Sequence, residues 1–448
     1  MNGLILPIGR RRFFNWFPLG LTYAFLYFGR YNLSAMQPDL DKLGLLTKAE
    51  FGNIDGFGSI VYGLAFLLNG PLTDRWGGRT TILIASLGSA AMNAAMGFIF
   101  IEARAGALDA ATLVNALTLA FSANMYFQSF GAVSIVKVNA PWFHTRERGV
   151  LGGVFGILIS LGLYFAYDLT LAIAHDGPAP SPESLGARLP WVFFIPAAVL
   201  LAFFLIDYFA IRDTPGQAGH RDFDTGDATQ DDAAGPPSLL ALARRMFAQR
   251  VIWIIVAIEF CSGFLRNAVM KWYRAYAKDV GAIDSFVYAN WGLVTCIAGI
   301  LGGVFAGTIS DHVFGSRRGP VSAVLYGGLL VGAIVSATLL GTPALGWAVA
   351  FMSLCVIGVH GMLSGTASAD FGGKKGAGMA TGIIDGFVYL GTATQAFVYG
   401  QLLPKGPLAK DAANWLPWPV AMIPVAIVGL LLATRVWNAR PSGSSSGH

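Results

Sequence analysis

Two arginines lie inside long apolar segments of this sequence, where charged residues are rare. Arg30 belongs to the segment 27–32, and Arg266 belongs to the segment 263–267. A charge at the centre of a bilayer costs several kcal/mol, so it normally faces a protein cavity and has a partner or a ligand there. Guanidinium groups bind phosphate and carboxylate through pairs of hydrogen bonds. The two arginines therefore predict a central cavity that binds a small anion.

Further polar residues in the apolar segments are candidates for the lining of the same cavity. Tyrosine hydroxyls, side-chain amides and histidine rings all donate hydrogen bonds. Packing or an interfacial aromatic belt is an equal alternative for each tyrosine, and a packed ring is the alternative for the lone histidine. The predicted substrate-binding residues are Arg30, Arg266, Tyr27, Tyr31, Gln128, Asn267, His360 and Tyr389.

Three acidic residues in the apolar segments allow several interpretations. Asp55, Glu259 and Asp385 are resting counter-ions of the two arginines or groups that bind a proton during a transport cycle. Asp55 and Asp385 are alternatively residues at helix ends nearer the membrane interface. A static ion pair does not require the two arginines to occupy equivalent places in two repeats. The sequence alone leaves these interpretations open, and the three acids are predicted coupling residues.

The elements that must position these residues are membrane-spanning helices. Hydrophobic residues make up 55% of the 448 positions and charged residues only 12%, about half the charged share of a soluble domain. Continuous apolar runs of roughly 20 residues match the thickness of a bilayer as helices. The sequence predicts an all-α membrane protein with spans at 13–36, 50–72, 79–103, 111–140, 148–173, 189–212, 250–276, 286–310, 319–340, 345–371, 376–402 and 414–438.

A long polar loop divides these spans into two sets of six. Residues 1–212 form a predicted N-terminal bundle, 213–249 a cytoplasmic linker, and 250–440 a C-terminal bundle, as in transporters built from internal repeats. The serine-rich stretch 441–448 is interpreted as an expression tail. Basic clusters such as 10–12 recur on one side of the alternating spans, which predicts cytoplasmic termini in a bacterial-type inner membrane.

A loop motif occurs once in each half. The first copy, 70–79, contains Gly70 and Asp74, and the second begins at Gly307 and contains Asp311. The glycine precedes the aspartate by four positions in both copies. The motif resembles the loop motif of the major facilitator superfamily, which implies the major facilitator fold of 12 helices. The resemblance implies a conformational role for Asp74, Arg75, Arg79, Asp311, Arg317 and Arg318.

Several segments together resemble the organophosphate:phosphate antiporters, the family of glycerol-phosphate and sugar-phosphate carriers. The resemblance lies in both arginine contexts, in the fourth helix and its following loop, and at 212–215, 368–372 and 383–386. It implies that Arg30 and Arg266 hold a phosphate group at the midplane. It also implies alternating access by rocking, with an organic phosphate exchanged for inorganic phosphate and no metal or other cofactor.

The sequence departs from glycerol-3-phosphate transporters at two positions. Phe66 and Ile159 stand where those proteins carry a lysine and a histidine, which leaves the organic part of the substrate open. Ser160, Gln128 and Asn267 are possible polar replacements.

Other functions remain as alternatives at this stage. One is a proton-coupled transporter of another organic anion, such as a carboxylate or a phosphonate, and another is a membrane sensor of sugar phosphate. An enzyme is not predicted, because no nucleophile with a base, phosphate-binding loop or metal cluster is present in the sequence. The expected partners are the lipid bilayer and a small anion, without nucleic acid, and the expected state is a monomer.

Overall fold

The structure is a computed structural model that describes most of the chain. The described residues are 7–144, 156–158, 160–177, 180–222, 248, 250–314, 318–363 and 368–437. The side chains of 311, 318 and 368–381 are outside this description. All the regular structure within these ranges is helical, which confirms the predicted all-α class.

Twelve long helical segments follow one another through the described residues. The first six are α1 (Ile8–Lys42), α2 (Lys48–Trp76), α3 (Gly78–Arg104), α4 (Ala110–Asn139), α5 (Gly156–Ala174, with a π-helical stretch at Phe165–Leu169) and α6 (Trp191–Ala210). The other six are α7 (Arg250–Asp279), α8 (Trp291–His312), α9 (Arg318–Thr338), α10 (Leu345–His360), α11 (Ser368–Leu402) and α12 (Pro417–Arg435).

Ten helices in the described ranges are long and apolar enough to cross a membrane. The two others, α1 and α11, have 35 residues each, but polar residues such as Arg30 and Asp385 interrupt their apolar runs. α11 begins at Ser368, so the predicted end of the tenth span at residue 371 and the predicted start of the eleventh at residue 376 were wrong. Helical turns that follow α10 continue to Leu363. The small, weakly apolar residues of this region do not mark a helix end by hydropathy.

Local sequence explains how α2 and α3 begin. The Thr47 side chain accepts a hydrogen bond from the backbone N–H of Glu50, and the Glu50 carboxylate accepts one from the backbone N–H of Thr47. This capping box satisfies two amide groups that a helix start leaves free. Gly77 separates α2 from α3 with a φ of 85°, a conformation that glycine adopts without steric cost. The two helices therefore fold back at the first loop motif.

The two sets of six helices meet mainly through α2 and α11, and also through α5 and α8. Glycines allow this close approach. A Cβ atom on Gly63 would lie 2.8 Å from the carbonyl oxygen of Gly386, and one on Gly52 would lie 2.6 Å from that of Ala396. Small residues bring backbones together where lipid provides no hydrophobic force between helices. The predicted division into 1–212 and 250–440 remains a prediction.

Replacing Gly263 by alanine should destabilise the C-terminal bundle. A Cβ atom there would lie 1.9 Å from the backbone oxygen of Val388 on α11, so α7 and α11 would have to separate. Overpacking of this kind costs about 1–3 kcal/mol or more. Thermal unfolding in detergent should show a lower midpoint for G263A than for G327A, because a Cβ on Gly327 meets no atom within 4 Å. Equal midpoints for the two variants would contradict the packing.

Candidate functional site

Arg30 is buried in the middle of the bundle, with 2% of its surface exposed. Its Nε donates a hydrogen bond to Gln128 Oε1 at 2.7 Å, and its Nη1 donates one to the Tyr389 hydroxyl at 3.3 Å. The guanidinium also lies over the rings of Tyr27 at 4.6 Å and Tyr62 at 4.7 Å. Its Nη2 has no hydrogen-bond partner among the described residues. One donor of this buried cation is therefore left for a ligand.

A chain of buried amides holds the partner of Arg30 in place. Gln128 Nε2 donates to Asn124 Oδ1 at 3.3 Å, and Asn124 Nδ2 donates to the backbone oxygen of Gly29 at 2.9 Å. Asn93 donates to the same oxygen at 3.1 Å and accepts from Asn32 at 2.9 Å. Buried networks whose members are hydrogen-bonded are rigid. α1, α3 and α4 together therefore fix the direction of the Arg30 side chain.

Replacing Gln128 by leucine should impair transport with little loss of folded protein. Leucine fills a similar volume but cannot accept the Arg30 Nε hydrogen bond, and a hydrogen bond to a charged group contributes about 1.5–3 kcal/mol. We expect transport to fall about 10- to 100-fold. Flux in reconstituted vesicles should be normalised to the monomer peak in size-exclusion chromatography, with Q395L as the control, because the buried Gln395 amide has no hydrogen-bond partner among the described residues. Equal loss in both variants would argue against this role.

Arg266 lies in α7, with 7% of its surface exposed. Its guanidinium carbon is 5.8 Å from the centre of the Tyr389 ring. Its Nε and Nη2 have no hydrogen-bond partner in the described part of the chain. Since Tyr389 also accepts a hydrogen bond from Arg30, the two arginines approach the same tyrosine from α1 and α7. The structure thus brings them together at one place between the two halves.

The ion pairs found among the described residues join two of the candidate acids to groups other than the arginines. Within this part of the chain, neither arginine lies within ion-pair distance of a carboxylate. Asp55 pairs with Lys271, and Glu259 lies against His360, with Oε2 and Nδ1 3.2 Å apart. Asp385 is buried on α11 and acts electrostatically on His360. The anion-binding donors of both arginines are therefore not occupied by Asp55 or Glu259.

Lys271 is a buried cation that the sequence analysis missed. Its Nζ donates to both Asp55 oxygens, each at 2.6 Å, and the two side chains are 5% and 2% exposed. The sequence does contain a signal for this buried cation, since a lysine stands five positions after Arg266 within the same apolar helix.

Lys271 and Asp55 face a small cavity with room for about one water molecule. The cavity is lined by Arg30, Tyr31, Asp55, Ser59, Phe121, Met125, Asn267, Lys271, Tyr389 and Thr392.

The remaining predicted binding residues differ in their positions. Tyr31 lines the cavity, and so does Asn267, whose Nδ2 donates to Thr392 Oγ1 at 2.7 Å. Tyr27 and Gln128 contact Arg30 instead of lining the cavity. His360 is outside the lining, beside Glu259. These roles in binding remain predictions.

The first loop motif is tied together by polar contacts within the N-terminal half. Lys137 Nζ donates to Asp74 Oδ1 at 2.7 Å. The backbone N–H of Arg79 donates to Asp213 Oδ1 at 2.7 Å, and the Arg79 guanidinium donates to the backbone oxygen of Tyr208 at 2.6 Å. Arg75 is exposed. In the second motif, Arg317 and the side chains of Asp311 and Arg318 lie outside the described residues.

Ion pairs connect the two halves at the end of the bundle where α1 and α7 end. We call this the closed end. Lys48 at the start of α2 bonds to Asp279 at 2.5 Å, and Lys278 bonds to Asp39, which also contacts His175. The Asp168 carboxylate accepts from the first backbone N–H groups of α8, at 2.8 and 2.9 Å. These contacts close this end over the cavity.

Of the two departures noted above, Phe66 lies among the described residues. It is buried, and its ring centre is 6.0 Å from that of Tyr389, so an aromatic ring faces the tyrosine that both arginines approach. Ile159 lies outside the described residues. Ser160, one of the possible polar replacements, is buried and lies close to Gly299 on α8. A Cβ atom added to Gly299 would be 2.7 Å from Ser160 Oγ.

Curated proteins similar to this chain include transporters and a sensor. The chain is 26% identical to a probable hexose phosphate transport protein of Chlamydia trachomatis, over 94% of this chain and 89% of that protein. It is 26% identical to a glycerol-3-phosphate transporter of Bacillus subtilis, covering 93% and 90%. It is 25% identical to the membrane sensor protein UhpC of Salmonella typhimurium, covering 88% and 84%. These relatives confirm the resemblance to the organophosphate:phosphate antiporter family.

Solved structures share the fold. A bacterial homolog of the human lysosomal transporter Spinster superposes with a TM-score of 0.73 at 15% identity, covering 95% of this chain and 97% of that one. A D-xylose-proton symporter superposes with a TM-score of 0.68 at 18% identity, covering 96% and 99%. The family model described as Major Facilitator Superfamily matches residues 19–396. The chain therefore belongs to the Major Facilitator Superfamily and is an integral membrane transporter, not an enzyme.

Proposed function

We propose that this protein exchanges an organic phosphate, of the glycerol-phosphate or sugar-phosphate type, for inorganic phosphate. The observation that carries the proposal is the pair of buried arginines that meet at Tyr389 without a carboxylate partner among the described residues. Planar guanidinium groups match the oxygens of phosphate in bidentate geometry. The hexose phosphate and glycerol-3-phosphate transporters among the relatives support the same substrate class.

The charges of the cavity and of Arg266, which lies outside its lining, fit a doubly charged anion. Arg30, Arg266 and Lys271 are cations, and Asp55 is the carboxylate that pairs with Lys271. Two positive charges therefore remain without a counter-charge among these four groups. Buried charges are stable only when they are paired or bind a ligand. A phosphate dianion would neutralise the two arginines and leave the Lys271–Asp55 pair for the organic part of the substrate.

The same charges give a reason for exchange. Two cations that face each other resist the approach of the two halves, and a bound dianion removes this repulsion. A ligand shifts a conformational equilibrium by the difference between its affinities for the two conformations. The protein with a bound anion therefore changes between its inward-open and outward-open conformations more readily than the empty protein does. Return without a substrate is slow, and an outgoing phosphate restores the starting orientation.

The closed end provides one of the two gates of this cycle. With the predicted topology, in which both termini are cytoplasmic in a bacterial-type inner membrane, the closed end faces outward. Lys48–Asp279 and Lys278–Asp39 must then break when the outer side opens. Rocking of one half against the other around a central site is the usual motion of such repeats.

Exchange in proteoliposomes tests the proposal. Vesicles loaded with labelled inorganic phosphate should release the label when glycerol 3-phosphate or a hexose phosphate is added outside, and should not release it into phosphate-free buffer. Monomeric, folded protein that releases no label under any of these conditions would overturn the proposal. Binding of hexose phosphate without any flux would indicate a sensor instead, a distinction that matters because a membrane sensor is among the relatives.

A further inference from the structure

A second buried polar group lies in the C-terminal half, outside the lining of the cavity. The Glu259 side chain on α7 is fully buried, and its Oε2 is 3.2 Å from Nδ1 of His360 on α10. Its Oε1 has no hydrogen-bond partner among the described residues. His360 is 24% exposed, so the imidazole ring is the more accessible member of the pair. None of the steps of phosphate exchange described above uses this pair.

The charged and titratable groups around the pair come from several helices. Arg266, on the same helix as Glu259, acts electrostatically on both members of the pair. Asp385 on α11 acts on His360. Cys261 on α7 and Tyr326 on α9 are close to Glu259, and the Tyr326 hydroxyl donates to the backbone oxygen of Ile258 at 2.6 Å. Arg266 is the only fixed cation in this set.

The position of Arg266 connects the pair to the substrate. Seven residues of α-helix separate Glu259 from Arg266 along the axis by about 10 Å, a distance over which charges interact in a protein interior. While Arg266 has no anion, its positive charge stabilises ionised Glu259. A phosphate bound at Arg266 neutralises that charge and adds negative charge nearby. A buried carboxylate that loses a nearby cation becomes more stable when it is protonated.

We propose that Glu259 and His360 form a proton-binding site whose occupancy rises when an anion binds at Arg266. This inference rests on the proposed function, because it requires an anionic substrate at Arg266. The proton comes from solvent by way of His360, stays on the pair while the anion is bound, and returns to solvent when the anion leaves. Since coupling between two ligands is reciprocal, a lower pH strengthens anion binding beyond the effect of the substrate's own ionisation. A phosphate dianion thus moves together with one proton.

Isothermal titration calorimetry can count this proton. Purified protein is titrated with glycerol 3-phosphate and with inorganic phosphate in two buffers of different ionisation enthalpy, which gives the number of protons taken up per ligand bound. The ligand's own protonation is common to all variants, so it cancels in a comparison between them. We expect Glu259→Gln to take up fewer protons than the unmodified protein, by up to one per ligand. Glu259→Asp, which keeps a carboxyl group, should restore the uptake.

The control is a buried acid in the other half of the bundle, outside the lining of the cavity. Asp207 on α6 is fully buried and accepts a hydrogen bond from Thr22 Oγ1 at 2.7 Å, so Asp207→Asn removes an acid of similar burial from the other half. D207N should take up as many protons per ligand as the unmodified protein. When the pH is lowered from 8 to 6, the affinity for phosphate should increase more in the unmodified protein than in E259Q. The ratio of the two affinities should grow by up to about tenfold per pH unit.

The outcomes separate the two proposals. An E259Q variant that binds phosphate with an unchanged proton count overturns the proton site. If E259Q does not fold, His360→Gln provides the same comparison, and an unchanged proton count in H360Q overturns the site equally. If the folded, unmodified protein binds no phosphate compound at all, the proposed function fails instead, because the proton count is defined only per bound anion.

Discussion

Replacing Arg30 or Arg266 by lysine should reduce phosphate exchange at least about 100-fold, even though the charge is kept. Lysine offers a point charge without the planar fork that binds two oxygens at once. Each hydrogen bond to a charged group contributes about 1.5–3 kcal/mol, so the loss of a two-bond contact corresponds to at least about two factors of ten. The R30K variant would also lose the bond to Gln128 or the bond to Tyr389, because Arg30 reaches them through different nitrogens.

The measurement is homologous exchange of labelled inorganic phosphate in vesicles. This exchange requires phosphate binding and the change between the inward-open and outward-open conformations, but no organic substrate. Its rate therefore reports on the anion site alone. Arg435, exposed at the end of α12, provides a matched control, and R435K should exchange at the unmodified rate. Full exchange by R30K or R266K would show that a positive charge alone suffices. The bidentate contact would then have no part in the mechanism.

The sequence predicted that the two arginines are buried and converge, because an arginine is a strong signal on its own, and their role in anion binding stays a prediction. An arginine inside an apolar run has few explanations, and both arginines are indeed buried and share Tyr389. For each tyrosine, the sequence could not decide between lining the cavity and packing in the protein. In the structure Tyr389 lines the cavity, whereas Tyr27 lies against Arg30 outside the lining. Hydropathy cannot make this distinction, because it contains no information on which face of a helix points inward.

Pairs between distant parts of the chain were the harder part. Lys271 and Asp55 lie on α7 and α2, and Glu259 and His360 lie on α7 and α10. The rotation and the packing of whole helices decide which acid contacts which cation. Close glycine contacts, such as that of Gly263 with Val388, determine this packing. A single sequence contains no direct record of these contacts. The helical class and the two arginines are therefore predictable, and the counter-ions are not.

Removing Lys271 should damage the protein more than removing Lys271 and Asp55 together. The pair is almost fully buried and both Asp55 oxygens accept from the ammonium group. Breaking a buried ion pair by truncating one partner costs about 3–5 kcal/mol, because the other charge remains in a medium of low polarity. In K271M, ionised Asp55 would also repel an anion in the cavity that it shares with Arg30. We expect phosphate exchange to fall at least about 100-fold in this variant.

The double variant D55N/K271M should recover part of this loss, since no charge is left unpaired. D55N alone should bind inorganic phosphate more tightly than the unmodified protein does, because Lys271 then has no counter-charge and attracts the anion together with the two arginines. Phosphate affinity and exchange rate measured for all four proteins form a double-mutant cycle, which isolates the interaction between the two residues. Additive effects in this cycle would mean that the pair does not act on the substrate as a unit. A strong interaction would show that Asp55 tunes the positive charge of the site by holding Lys271, so that the resting cavity attracts a dianion without binding it too tightly to release it.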